Sequence, residues 1–162
     1  MRPLIPDDIE KLLLHPVSGV TLVITVGNAY RSDDGVGPYI AGGVTFPKRH
    51  IVILNADDRP ENIIDKAIGL CPKRTVIIDA ADFSGSPGEV RLIPEEAVPD
   101  IIHSTHRFPL NIVSRVIADD TGSEIFFLGI QYKSIAFGEV LSPNVLNTAR
   151  KIIGMISETV SP

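Results

Sequence analysis

The stretch that most limits what this chain can become is Val20 to Val26, "VTLVITV". A strand with one wet face alternates apolar and polar residues, whereas a near-continuous β-branched run suits a strand covered on both faces. Such a strand needs helices above and below it. Two more short apolar runs, Ile51 to Leu54 and Thr75 to Ile78, follow, the second ending at Asp79, and Glu124 to Ile130 is another buried strand. Helix signals alternate with them. Pro6 to Leu14 has Pro at its start, acids in its first turn and a Leu cluster before Pro16. Val36 to Val44 is opened by Pro38, with Gly42 and Gly43 weakening it, and Glu61 to Gly69 is introduced by Pro60. Pro109 to Ala118 reads as a further helix. Pro143 to Val160 closes the chain with an apolar stripe at Val145, Leu146, Ala149, Ile152, Ile153 and Ile156. Glu89 to Ile93 alternates and is expected to be an antiparallel edge strand.

This order predicts an α/β fold, a three-layer αβα sandwich around a mixed, mostly parallel sheet of about five strands. The length of 162 residues fits a single domain spanning the whole chain. Residues 1–19 precede the first strand as an N-terminal extension carrying the short helix. No internal repeat and no low-complexity segment interrupts the pattern.

Charge and cysteine usage narrow the chemistry. A net charge of −5 offers no clustered basic face for a phosphate backbone, so nucleic acid is excluded as a partner. No apolar run approaches the roughly 20 residues that span a bilayer, and Pro6, Asp7, Asp8 and Glu10 break the N-terminal Leu cluster, so neither membrane insertion nor a signal peptide is expected. The expected location is cytoplasmic. With one cysteine, Cys71, the chain forms no internal disulfide and no thiolate cluster, so a metal site must use His, Asp, Glu, Asn or backbone.

Ligands of open α/β sheets bind beyond the carboxyl ends of the strands, where loops converge on a rigid frame. After the first run come Gly27-Asn28 and then Asp33-Asp34; after the third come Asp79 and Asp82; after the last come Gly129, Ile130 and Gln131. The segment "HSTHRFP" before the Pro109 helix adds His103 and His106. Two aspartates and one histidine can hold a divalent cation and leave positions open for water or substrate. The plainer readings stand beside this one. An Asp at a helix start caps free N–H groups, and a lone histidine bonds to backbone. Asp79 after an apolar run fits neither, because a carboxylate at a strand end near the core needs a partner. His103 and His106 do not share one helix so close to Pro109, which leaves His103 without a role.

Several motifs fail. "DDGVGP" has no Lys-Ser or Lys-Thr after its glycines and its aspartates would repel phosphates; G-x-G-x-x-G is absent; "HSTH" lacks the glutamate of a zincin; "SGSPG" is not a nucleophile elbow. Cys71, before Pro72 at a helix end, reads as a buried or incidental thiol.

Four stretches in order, "GNAYRSDDGVGP", "VIIDAADFSGSPGEV", "STHRFPL" and "FLGIQYKSIAFGEVLSPNV", resemble the hydrogenase maturation proteases. These endopeptidases remove a C-terminal extension from the large subunit of nickel-iron hydrogenases once nickel is inserted. The resemblance runs from about Val20 to Ile156, and "STHRFPL" and "GIQ" are most similar to the branch serving formate-hydrogenlyase and related energy-converting hydrogenases. Tyr30 departs from the family, where an aliphatic residue is common. The resemblance implies that Asp34, Asp79 and His106 are the metal-binding and catalytic positions, with nickel supplied by the substrate and zinc or cadmium able to occupy the site in vitro. It implies a hydrogenase large-subunit precursor as partner. Asn28 and Asp33 are expected to orient the ligands or organise the loop, Asp33 alternatively capping the next helix. A nickel-recognition chaperone that binds the precursor without cutting it uses the same three residues. A nucleoside phosphorylase or hydrolase on a related αβα scaffold would need phosphate- or base-reading residues, which this sequence does not offer.

Overall fold

The computed structural model describes residues 5–102 and 109–159. Among them, five strands form one sheet: β1 (Thr21–Thr25), β2 (Ile51–Asn55), β3 (Arg74–Ala81), β4 (Val90–Ile93) and β5 (Glu124–Gln131). Their spatial order is β2-β1-β3-β5-β4. β1, β2, β3 and β5 are parallel, and β4 closes one edge antiparallel to β5, with Val90 opposite Ile130. The helices are α1 (Asp7–Leu14), α2 (Val36–Gly43), α3 (Ile64–Gly69), α4 (Val98–Ile101), α5 (Leu110–Thr121) and α6 (Pro143–Ile156). The expected three-layer αβα arrangement is the one observed.

Successive strand residues point to opposite faces, and here both faces are dry. Val23, Val76, Ile78, Leu128 and Ile130 pack with α1, α2 and α6. Leu22, Ile24, Ile77, Ala81 and Phe127 pack with α3, α4 and α5. This is why β1 tolerates no polar alternation. On α6, Val145, Ala149, Ile152 and Ile156 recur at helical spacing and are fully buried. Burying each larger aliphatic stabilises the layer by ~1.5–3 kcal/mol, and Ile152→Asp, a charge in the centre of that stripe, would break it. α1 adds Ile9 and Leu13 to the same cluster.

Boundaries depart from the sequence reading in informative places. β3 does not end at Asp79 but runs on to Ala81, pairing Asp79 with Gly129 and Ala81 with Gln131. The closing helix stops at Ile156 rather than continuing to Val160, because Ser157 turns extended and bridges Pro47 while Glu158 donates its N–H to Phe46 O. The Glu61–Gly69 helix begins as a 3-10 turn, Pro60–Ile63, before α3. The edge strand starts at Val90 and α5 extends to Thr121, where Gly122 ends it in the left-handed conformation. The short Glu95–Ala97 turn and α4 were not anticipated, being too brief to show a period.

The strand order fixes where a ligand can sit. From β1 the chain crosses to β2 on one side, whereas β3 leads to β5 and β4 on the other. The connections therefore diverge between β1 and β3, opening a crevice at their carboxyl ends.

Candidate active site

The Asp33-Asp34 pair lies on a 3-10 turn, Ser32–Gly35, that links β1 to α2 and packs against β3. Two glycines allow the chain to fold back this tightly. Gly27 has φ +150°, and a Cβ there would overlap the Asp34 carbonyl oxygen; a Cβ on Gly37 would overlap the Val26 carbonyl. The end of β1 is carried alongside β3 by a Val26 N–H to Ile78 O bond of 3.0 Å. The turn is thus pressed onto the strand that carries Asp79.

Asp34 is half-buried, and its Oδ2 accepts the backbone N–H of Asn28 at 3.0 Å. The Asn28 side chain does something else: its Oδ1 accepts the N–H of Tyr30 at 2.9 Å, shaping the loop ahead of the turn. Asn28 therefore reaches Asp34 through its main chain.

Asp33 faces the opposite way and has no exposed surface. Its Oδ2 accepts the N–H of Lys133 at 2.8 Å, the N–H of Ser134 at 3.1 Å and the hydroxyl of Ser142 at 2.8 Å, while Oδ1 accepts the N–H of Ser142 at 2.6 Å. Asp33 is therefore not a helix cap. Neither the Ser32–Gly35 turn nor α2 has a side-chain cap, and Asp33 instead ties the turn to the segment after β5 and to the start of α6.

Asp79 is almost fully buried inside β3, on the same strand face as Ile77 and Ala81, and its Oδ1 accepts the N–H of Ala80 at 2.8 Å. Just beyond it, the Asp82 Oδ1 accepts from Ser84 N–H at 3.1 Å and from Gln131 Nε2 at 3.2 Å. Gln131 is buried and uses both ends of its amide. Its Oε1 accepts the N–H groups of Phe83 and Gly85, and its Nε2 also donates to Tyr132 O. Burial first, then the negative charges of Asp82 and Asp34, push the Tyr132 phenol above its usual 10.0. Tyr132, Asp82 and Asp34 therefore share one electrostatic neighbourhood at the carboxyl end of the sheet. The sequence reading marked Gln131 only by position and missed Tyr132. The available signal was that Gln131 closes the run "FFLGIQ" as Asp79 closes "TVII", a polar residue ending an apolar strand.

The crevice between β1 and β3 thus brings together the turn bearing Asp34 and the strand bearing Asp79, with Asp82 and Tyr132 alongside. His103 and His106 lie outside the described residues; they immediately precede Pro109, the N-cap of α5. Among the described residues alone, no three His, Cys, Asp or Glu side chains form a metal-sized group. Two carboxylates suit a divalent cation, and a nitrogen donor would complete a mixed oxygen–nitrogen set. Cys71 is exposed and stands ahead of β3, at the other end of the sheet. No helix among the described residues is long and apolar enough to cross a membrane.

Comparison with known proteins identifies the family and agrees with the fold. The family model of the hydrogenase maturation protease HycI matches residues 40–159. The hydrogenase 3 maturation protease of Escherichia coli K12 is 36% identical over 118 residues, covering 72% of this chain and 75% of the relative. The endopeptidase HycI from Escherichia coli superimposes with a TM-score of 0.75 at 30% identity, over 83% of this chain and 87% of that one. The [NiFe] hydrogenase maturation protease HycI from Thermococcus kodakarensis KOD1 does so with a TM-score of 0.79 at 27% identity, over 91% and 95%. With its αβα frame, its crevice at β1 and β3 and these relatives, the chain belongs to the hydrogenase maturation protease family and is a peptide-bond hydrolase.

Proposed function

We propose that this protein removes the C-terminal extension of a nickel-iron hydrogenase large-subunit precursor after nickel insertion, engaging the substrate's nickel through Asp34, Asp79 and His106. The observation that carries the proposal is the pressing of the Asp34 turn onto β3 at the switch in strand order, where Asp79 is held. The similarity to hydrogenase 3 maturation protease supports a precursor of that kind as the partner.

The residues fit the role. Asp34 and Asp79 bring carboxylate oxygens from two different elements, and His106, on the segment leading into α5, brings an imidazole nitrogen. Such a set binds a divalent ion without saturating it, so an ion already attached to the precursor can be shared. The ion would supply Lewis acidity to the scissile carbonyl or to a water. The nickel is therefore part of the substrate, and its presence reports completed insertion; zinc or cadmium would occupy the same donors in vitro. The backbone N–H of Asn28 orients Asp34, and Asp33 anchors the turn from behind. The reaction takes place in the cytoplasm, on a precursor awaiting assembly.

The test is incubation with the precursor, with and without nickel loading, followed by mass spectrometry of the products. Release of one C-terminal fragment only from the nickel-loaded form is the expected result. Stable binding of the nickel-loaded form without any cleavage would replace this reading with that of a non-cleaving chaperone.

A further inference from the structure

Two loops from distant parts of the chain clasp each other beside the Asp34 turn. Arg31 bridges Gly138; Ser32 N–H donates to Gly138 O at 2.7 Å, Gly138 N–H to Tyr30 O at 2.9 Å, and Ser32 Oγ to Ala136 O at 2.8 Å. Arg31 Nε also donates to Ile135 O. Asp33 pins both ends of the same segment, at Lys133-Ser134 and at Ser142. On this fixed clasp stand three large apolar side chains that the described residues leave exposed: Phe137 by 90%, Val140 by 80% and Tyr30 by 61%. Isolated exposed apolar residues need no explanation, but three on one braced pair of loops do.

We infer that this rim is the docking surface for the stretch of precursor polypeptide that flanks the scissile bond. The inference rests on the placement of the reaction at Asp34 and Asp79. Tyr30 is four residues from Asp34, so their Cα atoms lie within about 14 Å, the reach of a few residues of extended substrate. At these exposures the three side chains offer roughly 400 Å², about half of the ~800 Å² that each partner buries in a stable pair of folded proteins. By itself that area falls short of what holds two folded copies together, and it suits a segment held at the same time by the reaction site. Bracing by backbone hydrogen bonds means that little ordering entropy opposes docking.

The experiment compares the wild-type protein with Phe137→Ser/Val140→Ser, and separately with Tyr30→Ser, measuring the Kd for nickel-loaded precursor by calorimetry alongside KM and kcat for cleavage. Circular dichroism and sedimentation velocity accompany each protein. The expected result for the double variant is a Kd and KM raised at least tenfold, or ~1.4 kcal/mol of binding free energy, with kcat within twofold and Tyr30→Ser intermediate. An unchanged Kd in folded variants overturns the inference, whether or not the precursor is cut. A wild-type dimer that the substitutions dissociate, without weakening precursor binding, also overturns it by giving the rim to a second copy. Binding without cleavage by the wild type sinks the peptidase site instead and leaves the rim to be judged by Kd alone.

Discussion

Replacing Asp33 by asparagine isolates what its buried carboxylate does. The amide can keep an oxygen at Oδ2 and so retain the bonds from Lys133, Ser134 and the Ser142 hydroxyl. Its NH2 then faces the Ser142 N–H, whose 2.6 Å bond is lost. One buried donor left against another donor costs ~1–3 kcal/mol, and exchanging a charged for a neutral acceptor in three bonds costs ~1 kcal/mol each. Relaxation of the partly exposed 133–142 segment returns some of this, leaving a loss of ~3–5 kcal/mol. For a domain of this size, 1 kcal/mol shifts Tm by ~2–4 °C, so Asp33→Asn should melt about 10 °C lower. Thermal melts by circular dichroism, paired with urea titrations at constant m-value, measure it. A midpoint within about 2 °C of the parent would refute the clamp.

Asp34→Asn and His106→Ala are each expected to reduce cleavage of nickel-loaded precursor at least a hundredfold while the fold is retained; normal cleavage by either would remove it from the site. Gly27→Ala should destabilise the fold by ~2–4 kcal/mol, because it combines an unfavourable φ with overlap on the Asp34 carbonyl. Equilibrium unfolding within about 0.5 kcal/mol of wild type would contradict that packing. The raised Tyr132 pKa means that above pH 10 the folded state keeps a proton that the unfolded chain has lost. Stability present below that pH is therefore lost as pH rises through the folded value, and Tyr132→Phe should flatten the decline; identical pH profiles would count against the shift. Cys71→Ser should leave cleavage intact, since Cys71 precedes β3 and Asp79 lies five positions along it from Arg74, roughly 16 Å of strand. Loss of activity in the folded variant would point to thiol chemistry.

Much of the fold was legible because local periodicity reports how many faces of an element are dry. The β1 run had no polar alternation, and both of its faces are covered. The stripe on α6 repeated at helical spacing and is the stripe that packs. Where the pattern was cut short, tertiary contacts had decided. The helix over Pro143 to Val160 ends early because Ser157 pairs with Pro47, and β3 continues past Asp79 because β5 runs beside it as far as Gln131.

The site divides along the same line. The quoted motifs pointed to Asp34, Asp79 and His106 and to the family, and both aspartates stand at the carboxyl end of the sheet. Asp33 and Asp34 were indistinguishable as letters. On a 3-10 turn successive side chains diverge by about 120°, so one carboxylate enters the interior and its neighbour faces the crevice. The interior one finds its donors 100, 101 and 109 residues away. The sequence by itself determined the five strands and the longer helices, though not α4 or every element end, and which residue types could meet a metal. Only the tertiary structure decided that β1 neighbours β3, that Asp33 is a clamp rather than a cap, and that Tyr30 and Phe137 share a rim. Those outcomes depend on long-range strand order and on buried polar groups finding partners, and no window of neighbouring residues encodes either.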